Sequence, residues 1–227
     1  METVCECYLE APRCLEEKGE HTVSVDEMTG IQALERIAPS KPMASGKPQR
    51  LEYEYRRHGT LCLIGNFDVV TGKAIVPTVG DTRNEEDFRN HIARTVATDP
   101  EAGWVFVMDN LNTHCSEALV RYVAKACKLE VDLGKKGRCG ILHSVATRKA
   151  FLADKSHRIR CLYVPKHTSW LNQIECWFSI LVRRVTKRGN FKSREELRDR
   201  ILAFITYFNK TMAKPFKWTF TGRPVNI

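Results

Sequence analysis

Three acids in this chain are placed where a carboxylate can do chemistry. Asp26 follows the alternating run His21-Thr22-Val23-Ser24-Val25, and Asp109 follows the apolar run Trp104–Met108. Glu175 lies in Pro165–Phe178, a stretch with helical spacing. If the two runs are neighbouring strands, their terminal carboxylates converge. Like charges that converge leave one group protonated unless a cation joins them. Hard divalent cations such as Mg²⁺ take oxygen ligands and keep open positions for phosphate. Two such ions roughly 4 Å apart can activate a water or hydroxyl on one side of a phosphodiester and stabilise the leaving oxygen on the other.

The elements that must position these acids can be read from period and punctuation. A helix starting near Ser169, its N-cap, would carry an apolar stripe of Trp170, Leu171, Ile174, Trp177, Phe178, Leu181, Val182 and Val185. Asn172, Glu175 and Ser179 then share another face. Gly189-Asn190 would stop this helix. His21–Glu27 reads as a strand ending in two acids, and residues 1–20 show no clear element. Residues 38–50, with three prolines and a glycine, form a loop. Thr60–Phe67 and Lys73–Val79 are strands joined by the turn Asp68–Gly72. Thr82-Arg83-Asn84-Glu85 opens a helix with Phe88, Ile92 and Val96 inward. Trp104–Met108 has the length and composition of a buried central strand. Ser116 caps a helix with Leu119, Val120, Val123 and Cys127 inward. Residues 132–158 read as an insert with a basic turn, Gly134–Arg138, and a short helix, Ser144–Leu152. Ile159–Val164 is a further strand. Ser193–Glu196 opens a last helix with Leu197, Ile201, Phe204, Ile205 and Phe208 inward. The tail from Lys214 is aromatic and basic. This order predicts an α/β fold: a mixed sheet, an antiparallel hairpin plus parallel strands, with helices on both faces.

Charge is uneven. Of 36 Lys/Arg and 27 Asp/Glu, residues 1–54 hold six basic and eleven acidic, whereas residues 181–227 hold twelve and three. Such a basic C-terminal third predicts a polyanion partner. The nine cysteines show no repeated CxxC spacing, which fits a reducing cytosol better than a disulfide framework or zinc site. No run is long enough to span a bilayer, and no signal-peptide pattern opens the chain.

Five stretches together resemble a known family. They are Asp26-Glu27 with Gly30–Ala33; Glu54–Thr60; Asp109-Asn110-Leu111-Asn112-Thr113-His114; His167 through Glu175; and Phe208-Asn209 with Pro215–Trp218. The chain looks like the DDE catalytic domain of bacterial insertion-sequence transposases related to the mariner group, over nearly its whole length. The resemblance implies an RNase H-like core over residues 21–131 and 159–210, after a lead-in at 1–20 and before a basic tail at 211–227. It implies DNA strand cleavage and transfer with two Mg²⁺ or Mn²⁺ ions held by Asp26, Asp109 and Glu175, Asp26 bridging both. Water would cut at the element's ends, and the freed 3′-hydroxyl would attack target DNA, commonly at a TA step. Asn110 and His114 would shape the second-acid loop, unless His114 is only bonded locally. Asn172 would orient Glu175 or touch DNA, or serve as a cap-region amide. Trp170 and Trp177 are expected in the core rather than stacked on bases.

Two departures from the family pattern stand out. Sixty-five residues separate Asp109 from Glu175, and the insert at 132–158 accounts for the excess; its Lys135, Lys136, Arg138, Arg148 and Lys149 are candidate DNA contacts, as are Arg183, Arg184, Lys187 and Arg188 on the third-acid helix. Only 25 residues precede Asp26, with no room for the helix-turn-helix modules that recognise element ends, so the expectation is either that this chain is a catalytic fragment or that a separate or frameshifted reading frame supplies them. The expected partners are transposon-end and target DNA and a second copy of the chain in a homodimer, in a bacterial, nucleoid-associated setting. The alternatives are an RNase H-like nuclease that only hydrolyses and a DNA-binding remnant without activity. A glycosidase built on paired carboxylates would have no use for the basic surface.

Overall fold

The computed structural model describes residues 1–50 and 52–223. Five strands form one mixed sheet in the order β3-β2-β1-β4-β5. They are β1 Glu20–Arg36, β2 Tyr55–Asp68, β3 Ala74–Gly80, β4 Gly103–Met108 and β5 Ile159–Tyr163. The first three pair antiparallel; β4 is parallel to both β1 and β5. The expected combination of hairpin and parallel strands is therefore what forms. The apolar run Trp104–Met108 is fully buried because helices cover both faces of β4.

Among the described residues six α-helices complete the layers: α1 Glu2–Lys18, α2 Glu85–Val96, α3 Glu117–Ala126, α4 Val145–Leu152, α5 Gln173–Leu181 and α6 Arg194–Thr211. Strand alternation sorts the faces. Val23, Val25, Trp104, Phe106 and Met108 point to α2, α3 and α4, meeting Phe88, Ile92, Leu119, Val123 and Leu152. The opposite face takes α5 and α6 through Ile174, Trp177, Leu181, Ile201 and Phe208. On that same face α1 packs Val4 and Tyr8 against Val107 and Leu171.

Several sequence expectations are corrected. Residues 2–18 form α1, closed by Gly19 in the left-handed conformation at φ 61°, with its N–H on the carbonyls of Cys14 and Leu15. Strand β1 does not end at Asp26; it continues to Arg36 against β2. What ends just before Asp26 is the pairing with β4, whose last partners are Ser24 and Val107. The cap of α2 is Asn84, whose side chain accepts the N–H groups of Glu86 and Asp87, rather than Thr82. The third-acid helix begins at Gln173, after a 3₁₀ turn over Ser169–Leu171 that leaves Trp170 51% exposed against Phe220. Gly189 does not act by a left-handed turn. A Cβ there would stand 2.2 Å from the Phe191 ring, so the position needs small size. The segment 132–158 is not an appendage: Leu142 and Leu152 are buried in the core, and Arg148, 9% exposed, donates to the carbonyls of Cys115 and Leu142. The loop at 38–50 forms as expected, with isolated bridges Lys41–Arg50 and Ala44–Lys47. The tail folds back, stacking Phe216 on Phe67 and setting Trp218 against Tyr8; residues 224–227 lie outside the described residues.

One glycine decides how closely α5 approaches the sheet. Gly65 pairs with Asp26 across β1 and β2, and a Cβ on it would lie 2.9 Å from Phe178 Cε1 and 3.3 Å from Ile174 Cδ1. Gly65→Ala should cost about 1–3 kcal/mol by overpacking, read as a lower urea midpoint; an unchanged midpoint would show that α5 is free to yield.

Candidate active site

The site is built where β1 and β4 part. Asp26 is 7% exposed and points to the α5 face. Asn172, the residue before α5, is fully buried, and its Nδ2 donates to Val25 C=O at 3.0 Å and to Asp26 Oδ2 at 3.1 Å. Its Oδ1 accepts from the Ser24 hydroxyl. Ser24 Oγ in turn accepts the Ile174 N–H at 2.9 Å. The first turn of α5 is thus satisfied by a strand residue and not by its own N-cap side chain. An amide serves here because it donates to the carboxylate while accepting from the hydroxyl. Asn172 therefore orients Asp26, not Glu175, and its burial keeps it from DNA.

Asp109 leaves the end of β4 and is held from behind. Its Oδ1 accepts the Leu111 N–H at 2.8 Å and lies 2.7 Å from His114 Nδ1. The other nitrogen of His114, Nε2, is 2.9 Å from Glu27 Oε2, and both side chains are fully buried. Glu27 reaches this position because it follows Asp26 in a strand and so faces the opposite side of the sheet. The His114 ring packs on Phe88 of α2.

Electrostatics divide the two aspartates. Burial, and then the charge of Asp109, push the Asp26 carboxyl from 3.8 up to about 7. For Asp109 burial acts upward, but the bonds from His114 and the Leu111 N–H, with the Lys149 charge, bring it below the usual range. Burial alone would lower His114, yet its two carboxylate partners raise it to about 9. Asp26 and Asp109 place carboxylate oxygens within 4.8 Å of one another and of a His114 nitrogen. Because both ring nitrogens already face carboxylates, His114 is a holder of Asp109, and the oxygens are the free ligands. A half-buried pair of carboxylates that repel one another fits a hard divalent cation. Among the described residues Glu175 stands outside this tight group. Its carboxyl is raised by burial and by the charge of Asp109, so it lies within electrostatic reach.

The sequence matches the model of the DDE superfamily endonucleases over residues 21–198. The chain belongs to that family. Its fold is shared with the Mos1 mariner paired-end complex with Mn (14% identity, TM-score 0.52) and the pre-cleavage Mos1 transpososome (12%, 0.53). The Mos1 paired-end complex with left transposon end is similar at 13% and 0.50. In each case 90% of this chain is covered, against 53%, 54% and 53% of the Mos1 chain respectively, so this chain spans about half the length of those transposases. No curated protein matches the sequence. The RNase H-like fold implied by the resemblance is the fold observed.

As a DDE superfamily endonuclease the chain is a nuclease-type enzyme, and Asp26 with Asp109 forms its candidate divalent-cation site. The other expected residues sort by position. Asn110 Nδ2 donates to Val164 C=O, and its Oδ1 accepts from Lys149 Nζ, each at 2.5 Å, so α4 supplies a side chain that steadies the second-acid loop. Arg183 and Lys187 line a cavity of about 730 Å³ that Glu175 also lines. A π-helical turn over Val182–Thr186, closed by Lys187 N–H on Val182 C=O, sets their phase. Arg184 and Arg188 are exposed but do not line that cavity. Lys135 and Lys136 are exposed, and Lys136 lies 3.5 Å from Glu85 at the start of α2. Arg148 is excluded as a DNA contact by its burial. Glu27 was missed as a site residue. Its signal was alternation: next to Asp26 in a strand, it had to face the core, where a carboxylate needs a partner. No helix among the described residues is long and apolar enough to cross a membrane.

The raised carboxyl of Asp26 makes cation binding pH-dependent. A carboxyl raised in the fold contributes stability below pH 3.8 that is lost as pH rises through about 7, so its ionisation is unfavourable until a cation arrives. Mn²⁺ must displace that proton at pH 6 but not at pH 8, so affinity should be about tenfold weaker at pH 6. Titration calorimetry at the two pH values measures this; equal affinities would remove Asp26 from the ligand set.

Proposed function

We propose that the chain is the catalytic domain of a DNA transposase of the mariner-related, bacterial insertion-sequence kind, cutting DNA strands and joining the 3′-ends to target DNA. The observation that carries this is the cluster of Asp26 and Asp109 beside a groove that runs from Glu175 to Arg183 and Lys187. A carboxylate pair next to a groove that carries Arg183 and Lys187 at one end suits a polyanion held over a metal site, and not a neutral substrate. The fold shared with Mos1 complexes on transposon ends supports the same reading.

Asp26, Asp109 and Glu175 hold the cations, Mg²⁺ or Mn²⁺, two being expected. When bound, such ions supply Lewis acidity and an activated oxygen nucleophile at the phosphodiester. The chain's own groups orient and seat. Asn172 fixes the Asp26 carboxylate; His114, backed by Glu27, fixes that of Asp109; Asn110 and Lys149 hold the loop. Glu175, on a helix capped by Ser24, closes on the pair from the side that carries Arg183 and Lys187. These two cations then hold the phosphates flanking the reacting one. The active assembly is a homodimer on transposon ends, with end recognition by a helix-turn-helix portion. Binding by this chain alone is weak, salt-sensitive and largely independent of sequence.

Asp109→Asn should abolish cation-dependent nicking of a duplex oligonucleotide while leaving its gel-shift affinity within twofold. Wild-type nicking by this variant would remove Asp109 from the chemistry. In the same assay a pre-cut 3′-OH end should be joined to target DNA; nicking without joining would mean a hydrolytic nuclease.

A further inference from the structure

A second groove opens at Asp109. It has a volume of about 370 Å³ and is lined by Asp109, Asn110, Pro165, Lys166 and His167. It shares no residue with the cavity at Glu175. Asp109 thus has a groove with basic side chains of its own, separate from the one at Glu175.

His167 is the unusual residue here. Its φ is 62°, the left-handed region, where a residue with a Cβ is disfavoured by about 1–2 kcal/mol. The conformation is imposed by a turn: the N–H and hydroxyl of Thr168 both reach Pro165 C=O, at 3.3 and 2.7 Å. That turn is fixed to the sheet through Val164, whose N–H bonds Met108 C=O and whose carbonyl accepts from Asn110. Glycine would sit at this place without strain. Yet the position carries an imidazole that is exposed and, among the described residues, has no hydrogen-bond partner. Strained backbone of this kind clusters at ligand-contacting positions, and of the described positive-φ residues that carry a side chain His167 is the one that lines a groove with one of the three acids. Beside it, Lys166 is also exposed.

We infer that this groove is a second strand subsite, in which His167 and Lys166 donate to a phosphate of the substrate strand other than those held by Arg183 and Lys187. The inference rests on the nucleic-acid reading above and extends it: the strand is gripped at Asp109 as well as at Glu175, and His167 is a substrate-contacting residue on a rigid mount.

The test uses the full chain and His167→Gly, with Lys166→Ala as a second variant. His167→Gly should raise the urea midpoint, since it relieves the strain, and at the same time weaken binding of a fluorescent duplex about fivefold at low salt. In cation-dependent nicking its KM should rise by a similar factor with kcat within twofold. Lys166→Ala should weaken binding in the same direction without the gain in stability. Wild-type DNA affinity in both variants would overturn the subsite, whether or not the chain nicks. Weakened binding by a chain whose wild type never nicks would sustain the subsite and sink the catalytic reading instead.

Discussion

The structure depends on one buried link between the helix of the third acid and the strand of the first. Ser24 and Asn172 join β1 to the start of α5 through direct hydrogen bonds of a hydroxyl, an amide and the Ile174 N–H. Each group in it would be costly to bury alone, by about 1–3 kcal/mol for an unpaired donor or acceptor. Together they leave no group of Asn172 unpaired and fix the position of the Asp26 carboxylate. The Tyr8 hydroxyl adds a third anchor, donating to Leu171 C=O, so α1 holds the 3₁₀ turn that precedes α5. Gly65, opposite Asp26, lets α5 come close enough for the link to form. Sheet, helix and acid are thus one mechanical unit.

A second unit stands on the other face. Glu27, His114 and Asp109 form a chain in which a buried carboxylate backs a buried imidazole that faces a partly exposed carboxylate. Its logic is opposite to that of Asp26. Burial and then the charge of Asp109 raise Asp26; for Asp109, burial is outweighed by the bonds from His114 and the Leu111 N–H, and it falls. One acid is ready as an anion, while its neighbour waits for a cation. This asymmetry follows from strand alternation, which sends Asp26 to the α5 face and Glu27 to the α2 face.

Parts of this were legible in the chain itself. The apolar run Trp104–Met108 had to be a buried strand, and Ser116 and Ser193 had to cap helices, because composition and local hydrogen bonding decide such features. What failed depended on tertiary contacts. Residues 2–18 looked featureless because Pro12 and scattered charges mask the spacing of Val4, Tyr8 and Ala11, which is helical only once a partner surface exists. The start of α5 was misplaced because Ser169 resembles a cap, whereas the real cap comes from Ser24, far away in sequence. Arg148 was misread as a surface cation because nothing local says that two backbone carbonyls await it.

The same reasoning explains why the segment between Asp109 and Glu175 is long. Parallel strands β4 and β5 need a crossover, and α3 alone would supply one. Instead the chain adds α4, whose Leu152 enters the core, whose Arg148 ties the loop after β4, and whose Lys149 reaches Asn110 beside the second acid. Lys149 also lies 5.0 Å from the centre of the Tyr163 ring, and the Tyr163 hydroxyl donates to His114 C=O. The added length therefore serves the acid it follows. It braces the Asp109 loop from the side that the sheet leaves open, leaving Pro165–Thr168 as the exposed rim next to it.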